Sequence, residues 1–383
     1  MSRARPVSGL AVRPAIRLAI GLGLALAATG CADSDSPGTA APTTAPVVLT
    51  LLTYSSFPAS DTTLNEALAT FTADTNIGVS VIAAGDAGTM ASKATLSAGN
   101  PEGDVMWGID NTLLSRVLDA NVFDPYESPA LPELDPALTA LVPGHEVTPV
   151  DFGDVCVNYD IAWFAARQLD PPDTFADLAD PAYRDLLVVE NPASSSTGLA
   201  FMLATIAEFG TGESGTGESG TGEQDWLDYW ESLVANGVEA VESWDIAYYE
   251  RFSGSSGDGP RPLVVSYASS PPAEVLFADP PRSDAPTAVV AETCFRQVEF
   301  AGVLRGGDHP DEARKLVDFL VSNAFQTEVP LNLFVWPARR DVVLPQVFTD
   351  HSEVVADPLT IEPGAIAANR ETWVDEWTAV VVR

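Results

Sequence analysis

The sequence contains the β-branched and aliphatic run Val48-Leu49-Thr50-Leu51-Leu52-Thr53-Tyr54, which has the length and composition of a β-strand. Apolar residues at helical spacing follow in the segment Thr62 to Phe71. Two further strand-like runs come next, from Gly78 to Ala84 and from Asp104 to Ile109. Strands that alternate with helices predict a parallel sheet covered by helices. This part of the chain is therefore expected to be an α/β structure.

The ends of these strands are candidate ligand positions, because ligands of open α/β sheets bind beyond the carboxyl ends of the strands. Tyr54 and Asp110 stand at two such ends. The pair Asp110-Asn111 has two interpretations. It can hold a positive or amino-bearing ligand, or it can cap the predicted helix Thr112 to Asp119. Both roles stay open, since a capping residue can also face a cleft.

The second half of the chain repeats the alternation of strands and helices. A strand-like run from Leu186 to Val189 leads into the polar segment Glu190 to Gly198 and the apolar helical stretch Leu199 to Phe209. Another strand, Leu263 to Tyr267, ends in polar and aromatic residues. Between them a Gly-Thr-Gly-Glu-Ser unit is repeated over residues 210–223, and such low complexity predicts a surface loop between helices.

The polar segment contains three serines, a threonine and a glycine directly before a helix, at Ser194-Ser195-Ser196-Thr197-Gly198. Hydroxyls and free backbone N–H groups at a helix start can hold an anion or a polar ligand atom. A plain helix cap needs only one of these residues. Ser194, Ser195 and Ser196 are therefore candidate ligand-binding residues.

Aromatic residues lie at predicted strand ends and loops. They are Tyr54, Trp244, Tyr248, Tyr249, Tyr267, Phe334 and Trp336. Aromatic faces stabilise an organic cation by roughly 0.5–2 kcal/mol each. Each residue alone is as compatible with a packed core, so the set predicts a binding site only if its members converge. Trp373 and Trp377, in the predicted helix Pro363 to Val381, are expected to be packing anchors instead.

The first thirty residues have the organisation of a signal peptide. Four arginines and no acid precede and flank a short apolar stretch, which ends in Thr29-Gly30-Cys31. This ending resembles a bacterial lipobox, in which the cysteine is acylated, although Ala28 stands where leucine is usual. An ordinary cleaved signal with an incidental cysteine is the alternative. Residues 31–46 are rich in Ser, Thr, Pro and Ala, which predicts a disordered tether.

The chain is strongly acidic, with a formal charge of −35 that becomes −39 once the four arginines of the signal are removed. Such a charge argues against nucleic acid and phospholipid headgroups as main partners. It is compatible with a cationic ligand, although acidity is also a common means of keeping a protein soluble. With 383 residues the chain is long enough for two domains.

Cys156 and Cys294 are the cysteines that remain after Cys31. An even pair in an exported protein favours a disulfide over two separately buried thiols. None of the three histidines is near either cysteine in sequence, so no metal site is predicted. No Gly-x-Ser-x-Gly elbow, P-loop or His-rich metal motif is present, so the sequence predicts neither a catalytic residue nor a cofactor.

Several strings resemble, in order, segments of bacterial thiamine-binding proteins of ABC importers. The segment Leu51 to Phe57 is similar to their opening strand with its Thr-Tyr-x-Ser-Phe pattern, and Gly108 to Leu114 is similar to their Gly-(Leu/Ile)-Asp-Asn-x-Leu-Leu motif. Further similar strings are Pro149 to Asp160, Ser194 to Leu199, Ser243 to Tyr248, Val265 to Pro271, Gln297 to Glu299, Phe334 to Pro337 and Arg370 to Trp377. The resemblance covers nearly the whole mature chain.

The resemblance implies the type-2 periplasmic-binding-protein fold, with two α/β lobes joined by crossing strands that act as a hinge. It places the first part of lobe 1 at residues 47–154 and lobe 2 at residues 155–295, including the 210–223 loop. Residues 296–383 are expected to return to lobe 1 and to form the C-terminal helices. Cys156 and Cys294 then lie beside the two crossovers, so that a disulfide between them would link the two hinge strands covalently.

The resemblance also implies a ligand site. The binding positions of the family carry over to Tyr54, Asp110, Ser195, Trp244, Tyr267 and Phe334. Thiamine has a charged thiazolium ring and a flat aminopyrimidine, which suit aromatic faces and a carboxylate; the serines suit its hydroxyethyl group or a phosphate. The chain departs from the family at Ala273, where a second tyrosine is expected nearby, and at Phe334, where tryptophan is more usual.

The implied role is that of a monomeric, lipid-anchored receptor that passes thiamine or its phosphates to an ABC importer permease without chemical change. The nearest alternative is a ferric-iron receptor of the same fold, whose signature is a pair of adjacent tyrosines such as Tyr248-Tyr249. Trp244 and the Asp110-Asn111 motif favour an organic ligand. A surface-anchored enzyme and a structural lipoprotein are further alternatives.

Overall fold

The computed structural model describes residues 46–58, 60–211, 225–255 and 259–382. The predicted signal peptide, Cys31, the tether up to residue 45 and residues 212–223 of the repeat lie outside these ranges. No helix within them is long and apolar enough to cross a lipid bilayer.

The described chain alternates strands and helices. The strands are β1 (Val47–Thr53), β2 (Ile77–Ala83), β3 (Val105–Asp110), β4 (Phe123–Asp124), β5 (Thr148–Asp160), β6 (Leu187–Glu190), β7 (Glu239–Val241), β8 (Leu263–Tyr267), β9 (Thr287–Leu304) and β10 (Trp336–Pro337). The helices of the first half are α1 (Thr63–Thr75), α2 (Ala87–Leu96), α3 (Leu114–Asp119), α4 (Pro136–Thr139), α5 (Ile161–Arg167), α6 (Phe175–Leu178) and α7 (Ser196–Phe209). The others are α8 (Trp226–Ala235), α9 (Pro271–Leu276), α10 (Pro310–Leu320), α11 (Asn323–Gln326), α12 (Val329–Leu333), α13 (Gln346–His351) and α14 (Pro363–Val381).

The described strands form a ten-stranded sheet with the order β2-β1-β3-β9-β5-β8-β6-β7, and β4 and β10 pair with β9 and β5. β1 pairs in parallel with both β2 and β3, as the sequence predicts. β9 joins β3 in the antiparallel direction, so the sheet is mixed. The parallel pairing predicted for the first three strands is confirmed, and the antiparallel β9 enters beside β3 because the chain returns along it from the far end of the sheet.

Two long strands, β5 and β9, connect the two halves of the sheet. They pair antiparallel along their length, from Thr148 opposite Ala301 to Asp160 opposite Thr287. β3 lies beside one end of this pair and β8 beside the other. We call the part that carries β1–β3 the first lobe and the part that carries β6–β8 the second lobe. The predicted two-lobed architecture with two crossover strands is confirmed.

β9 is longer than the strand that alternation predicts from Phe295 to Ala301. Most residues of β9 are buried on both faces of the sheet. A strand that is covered on both faces does not alternate between apolar and polar residues. The alternation of apolar and polar residues therefore does not predict the full length of β9.

Cys156 and Cys294 form a disulfide that joins β5 to β9 within the crossover. Both cysteines are buried, and the alternative of two separate thiols is excluded. Beside the disulfide, the guanidinium of Arg296 on β9 donates two hydrogen bonds to the carboxylate of Asp154 on β5. The hinge is therefore tied by a covalent bond and by a charge pair.

The C-terminal helix α14 packs against α8. Trp377 and Trp230 meet edge to face with ring centroids 5.3 Å apart, and both are buried. Trp373 is buried as well. The packing role predicted for the two tryptophans of this helix is confirmed.

Candidate functional site

A cavity of about 740 Å³ lies between the two lobes, a size common for small-molecule sites. The first lobe contributes the end of β1 and the start of α2, and the second lobe contributes the starts of α7 and α9. The residues that carry the chemistry of its wall are Tyr54, Asp86, Ser195, Ser196, Thr197, Trp244, Tyr248, Tyr249, Tyr267, Glu274, Phe277, Arg282, Glu299 and Phe334.

Six of the ten predicted ligand-binding residues line this cavity, and they come from both lobes. They are Tyr54, Ser195, Ser196, Trp244, Tyr267 and Phe334. The tertiary structure therefore brings together the aromatic residues that the sequence could only describe as dispersed. Their binding of a ligand remains a prediction.

Asp110 and Asn111 do not line the cavity. The buried Asp110 accepts hydrogen bonds from the backbone and hydroxyl of Thr112, at 2.9 and 2.6 Å, and from the side chain of Gln297. Asn111 pairs through its side chain with the backbone of β9 at Val298 and Arg296. These bonds favour a local role in the turn before α3 over contact with a ligand. The predicted helix start at Thr112 is wrong, because α3 begins at Leu114 with Leu113 as its N-cap and has no side-chain cap.

Ser194 and Trp336 also lie off the cavity wall. The hydroxyl of Ser194 donates to the carbonyl oxygen of Glu242 at 2.6 Å. Trp336 belongs to β10, where its ring lies parallel to that of Phe152 and meets Phe348 edge to face. Both side chains are occupied by contacts within the fold.

Tyr54 takes its place because Gly108 leaves room for it. A Cβ atom at Gly108 would lie 2.2 Å from a ring carbon of Tyr54, and the backbone of Gly108 has a φ of +108°. Only glycine tolerates both the close approach and this conformation. The Gly-Ile-Asp-Asn string is therefore needed to seat an aromatic ring of the neighbouring strand.

The second lobe supplies a stacked aromatic wall. The rings of Trp244 and Tyr248 lie 4.8 Å apart with only 15° between their planes. The indole nitrogen of Trp244 donates to the hydroxyl of Ser266 at 3.0 Å, and the phenol of Tyr248 donates to Glu274 at 2.9 Å. These bonds hold the flat faces in position. Such faces favour a planar or cationic ligand.

Phe334 and Phe277 form another aromatic part of the cavity wall. Their rings meet edge to face at 5.6 Å. Phe334 has a φ of +53°, and its carbonyl oxygen accepts a hydrogen bond from the hydroxyl of Ser269 at 2.6 Å. Ala273, at which the chain departs from the family, also lines the cavity. Its methyl group provides no stacking surface there.

Two helices begin at the cavity wall from opposite lobes. Asp86 caps α2 by accepting a hydrogen bond from the N–H of Ala87 at 2.7 Å. Ser195 precedes α7, makes no side-chain cap there, and shares a 2.9 Å hydrogen bond with the hydroxyl of Thr197. The free N–H groups and the partial positive charge of a helix start suit a hydroxyl or an anionic oxygen.

Among the described residues, the wall is otherwise acidic, since it carries Asp86, Glu274, Asp279 and Glu299 against one basic residue, Arg282. Burial raises the pKa of Asp86 to about 6, and the nearby charge of Asp245 contributes. Burial also raises the pKa of Glu299 well above its usual range, as do the charges of Asp151 and Asp110. A cationic ligand would offset this concentration of carboxyl groups.

Glu299 and Asp86 are wall residues that the sequence does not single out. One signal for Glu299 is visible in retrospect: it is an acidic residue flanked by the apolar Val298 and Phe300 within a strand. Buried acids are rare unless they are paired or functional. Asp86 carries no comparable signal, because aspartate is ordinary before a helix.

Among the described residues, no group of three or more histidine, cysteine, aspartate or glutamate side chains is arranged to hold a metal ion. The adjacent Tyr248 and Tyr249 both reach the cavity, with their rings nearly perpendicular. The phenol of Tyr248 is already bonded to Glu274.

Comparison with known proteins relates this cavity to a family. The model of the bacterial extracellular solute-binding proteins matches residues 103–353. The thiamine-binding periplasmic protein of Salmonella typhimurium is 27% identical over 351 residues, which cover 90% of this chain and 96% of that protein. The solved structure of a periplasmic thiamin binding protein superposes with a TM-score of 0.72 at 25% identity, covering 88% of this chain and 96% of that one.

More distant structures share the fold. The iron-bound HitA of Pseudomonas aeruginosa superposes with a TM-score of 0.64 at 17% identity, covering 87% of this chain and 99% of that one. The matching family consists of transport binding proteins rather than enzymes, and it works outside the cytoplasm. With two lobes, a crossover of two strands and a cavity between them, this chain belongs to the bacterial extracellular solute-binding protein family.

Proposed function

We propose that this chain captures thiamine, or a phosphate ester of thiamine, in the cavity between its lobes and delivers it unchanged to the permease of an ABC importer. The observation that carries the proposal is the combination of a stacked aromatic wall with an excess of carboxyl groups on the cavity wall, of which Glu299 is buried. Relatives that match over 90% of the chain are thiamine-binding proteins, which supports the same ligand.

The two halves of the thiamine molecule suit two kinds of wall. Its rings are flat and one of them is permanently charged, so they fit the faces of Trp244, Tyr54 and Tyr267. Each such face contributes about 0.5–2 kcal/mol to the binding of a cation. The carboxyl groups among these faces add an attraction that a neutral aromatic ligand would not feel.

The hydroxyethyl end of thiamine suits the helix starts. We infer that it lies between the capping turn at Asp86 and the hydroxyls of Ser195 and Ser196. The helix N-termini favour a phosphate there, whereas the carboxylate of Asp86 opposes one. Comparing the affinity for thiamine with the affinities for its mono- and diphosphate therefore shows whether the helix N-termini or the carboxylate of Asp86 has the stronger effect.

The lobes are proposed to close on the ligand as a hinged clamp. With the predicted boundaries, lobe 1 comprises residues 47–154 and 296–383, and lobe 2 comprises residues 155–295. The helix α14 is then a part of lobe 1 that packs against α8 of lobe 2. Both boundaries fall inside β5 and β9, next to the disulfide and to the pair of Arg296 with Asp154. A hinge at these strands lets the lobes rotate while the cross-links keep the strands paired.

The proposal includes a lipid anchor. Removal of a signal at residues 1–30 would leave an acylated Cys31 as the first residue, with residues 31–46 as a tether for a monomeric receptor at the outer face of the cell membrane. The replacement Cys31→Ser is expected to release the protein from the membrane fraction. Wild type and variant are compared by immunoblotting of fractionated cells.

The central experiment is calorimetry of the mature protein with thiamine, its two phosphates and ferric citrate. Binding of thiamine or a phosphate at micromolar concentration or below supports the proposal. A visible charge-transfer band with ferric salt, without any heat of thiamine binding, would replace it with the iron-receptor alternative. Small-angle X-ray scattering on the same samples measures closure as a decrease in the radius of gyration.

A further inference from the structure

Glu299 is a buried carboxyl group on the cavity wall that has no cation beside it. The side chain is 7% exposed, and its Oε2 atom has no hydrogen-bond partner among the described residues. It lies on β9, opposite Asp151 of β5 in the sheet register. The donors beside its carboxyl group, Trp107 and Tyr54, are neutral, so no cation balances a charge there, and an unbalanced buried charge is costly.

The groups that face Glu299 come from four neighbouring elements, and none of them is a base. Asp151 on β5 and Asp110 at the end of β3 are acids, and Tyr54 and Tyr267 after β1 and β8 are phenols. The nearest arginine along β9, Arg296, is paired with Asp154 instead. Burial raises the pKa of the Glu299 carboxyl well above its usual range, and the charges of Asp151 and Asp110 raise it further, because adjacent carboxylates resist ionising together.

The basic residue of the wall is placed elsewhere. Arg282 acts on Glu274, whose carboxylate it favours, and Glu274 also accepts a hydrogen bond from Tyr248. Glu274 therefore already has a donor and a charge partner, which Glu299 lacks. A control carboxylate outside the cavity is Asp318 on α10, which accepts hydrogen bonds from the hydroxyls of Tyr126 and Ser128.

We propose that Glu299 is the counter-ion of the captured cation and that its carboxyl group ionises when the cation binds. The inference rests on the proposed capture of a cationic solute and adds that a proton is released when the solute binds. The O–H bond of Glu299 breaks, the proton leaves to solvent, and the carboxylate that remains faces the positive ring of the ligand. One positive charge thus enters the cavity as another leaves, and the buried charge stays balanced.

Proton release makes capture dependent on pH. Affinity for the cation is expected to rise by up to about tenfold per pH unit wherever one proton leaves on binding. This range lies between the pKa of Glu299 with ligand bound and its higher pKa in the empty cavity. A neutral ligand of the same shape would not displace the proton.

The test is calorimetry of wild type, Glu299→Gln and Asp318→Asn with thiamine, in two buffers that differ in ionisation enthalpy. A second titrant is the neutral isostere in which a thiophene ring replaces the thiazolium. Wild type is expected to release about one proton per thiamine near neutral pH and to bind the neutral isostere about tenfold or more weakly without proton release. Glu299→Gln should lose the proton release and reduce the preference for thiamine over the neutral isostere, whereas Asp318→Asn should keep both.

Equal proton release by wild type and Glu299→Gln would overturn the inference. So would wild-type binding of thiamine and the neutral isostere with equal affinity and no proton release, a result that does not depend on any variant. Failure of wild type to bind either compound would contradict the proposed function itself, and the inference with it. Thermal unfolding confirms that Glu299→Gln is folded, as expected when an amide replaces a neutral carboxyl group of the same shape.

Discussion

The backbone N–H of Gly88 donates a hydrogen bond of 2.9 Å to the carbonyl oxygen of Ser194, and this bond links the two lobes across the cavity. Gly88 lies in the first turn of α2, and Ser194 precedes α7. A Cβ atom at Gly88 would lie 2.6 Å from that oxygen and 2.9 Å from the carbonyl oxygen of Ala193. Because both obstacles are backbone atoms, the lobes would have to move apart to admit a side chain.

Gly88→Ala is therefore expected to weaken thiamine binding by about 5–100-fold, as the loss of one buried hydrogen bond between the lobes predicts. The expected cause is a faster dissociation rate, since the open protein is not altered. Gly364→Ala is the matched control. It also sits in the first turn of a helix, and its Cβ would have no heavy atom within 4 Å. Stopped-flow tryptophan fluorescence measures both variants, and equal dissociation rates would refute the prediction.

Trp244→Ala is expected to weaken thiamine binding by about 3–30-fold, the range that the loss of one cation–π face implies. The control is Trp163→Ala, because Trp163 is a half-buried tryptophan outside the cavity that stacks with Arg167. Titration calorimetry compares the two variants. An affinity of Trp244→Ala equal to that of the control would show that this face does not touch the ligand.

The double replacement of Cys156 and Cys294 by alanine is expected to lower the free energy of unfolding by about 2–4 kcal/mol. The disulfide spans 138 residues of chain, and it therefore restricts the unfolded chain strongly. Thiamine affinity should change little, since neither cysteine lines the cavity. Urea unfolding of the variant and of reduced and oxidised wild type provides the measurement. Identical urea midpoints for all three samples would contradict it.

Stability of the empty protein is expected to fall as the pH rises from about 5 to about 8. Burial raises the pKa of Asp86 to about 6 and that of Asp151 to about 7. Over this range the folded protein still holds protons that the unfolded chain has lost, so the free energy of unfolding decreases with pH. Asp151→Asn should flatten the slope. Urea unfolding at several pH values measures the slope. A free energy of unfolding that increases between about pH 5 and about pH 8 would contradict the prediction.

The paired strands β5 and β9 illustrate why only part of the fold was predictable. Strands and helices with a clear period, such as β1 and α14, have ends close to the predicted ones. β9 extends beyond its alternating part because it is covered on both faces. Its antiparallel entry beside β3 depends on pairing across many residues, which no local pattern encodes.

The candidate site was also predictable from the sequence only in part. The aromatic residues and the serines were visible as residue types, yet which of them share a wall depends on distances between two lobes. Asp110 had the right chemistry and position after a strand, but its carboxylate is used by Thr112 and Gln297. Glu299, which the resemblance treated as part of a returning strand, is the carboxyl group that reaches the cavity.

The sequence by itself determined the α/β class and the family resemblance and favoured the pairing of Cys156 with Cys294, because these follow from local periodicity, ordered motifs and the scarcity of cysteine. Only the tertiary structure decided which carboxyl group faces the ligand and that Gly88 meets Ser194. Both depend on contacts between residues more than one hundred positions apart. A residue's type states what it can bind, whereas burial and neighbours decide whether its atoms are free to do so.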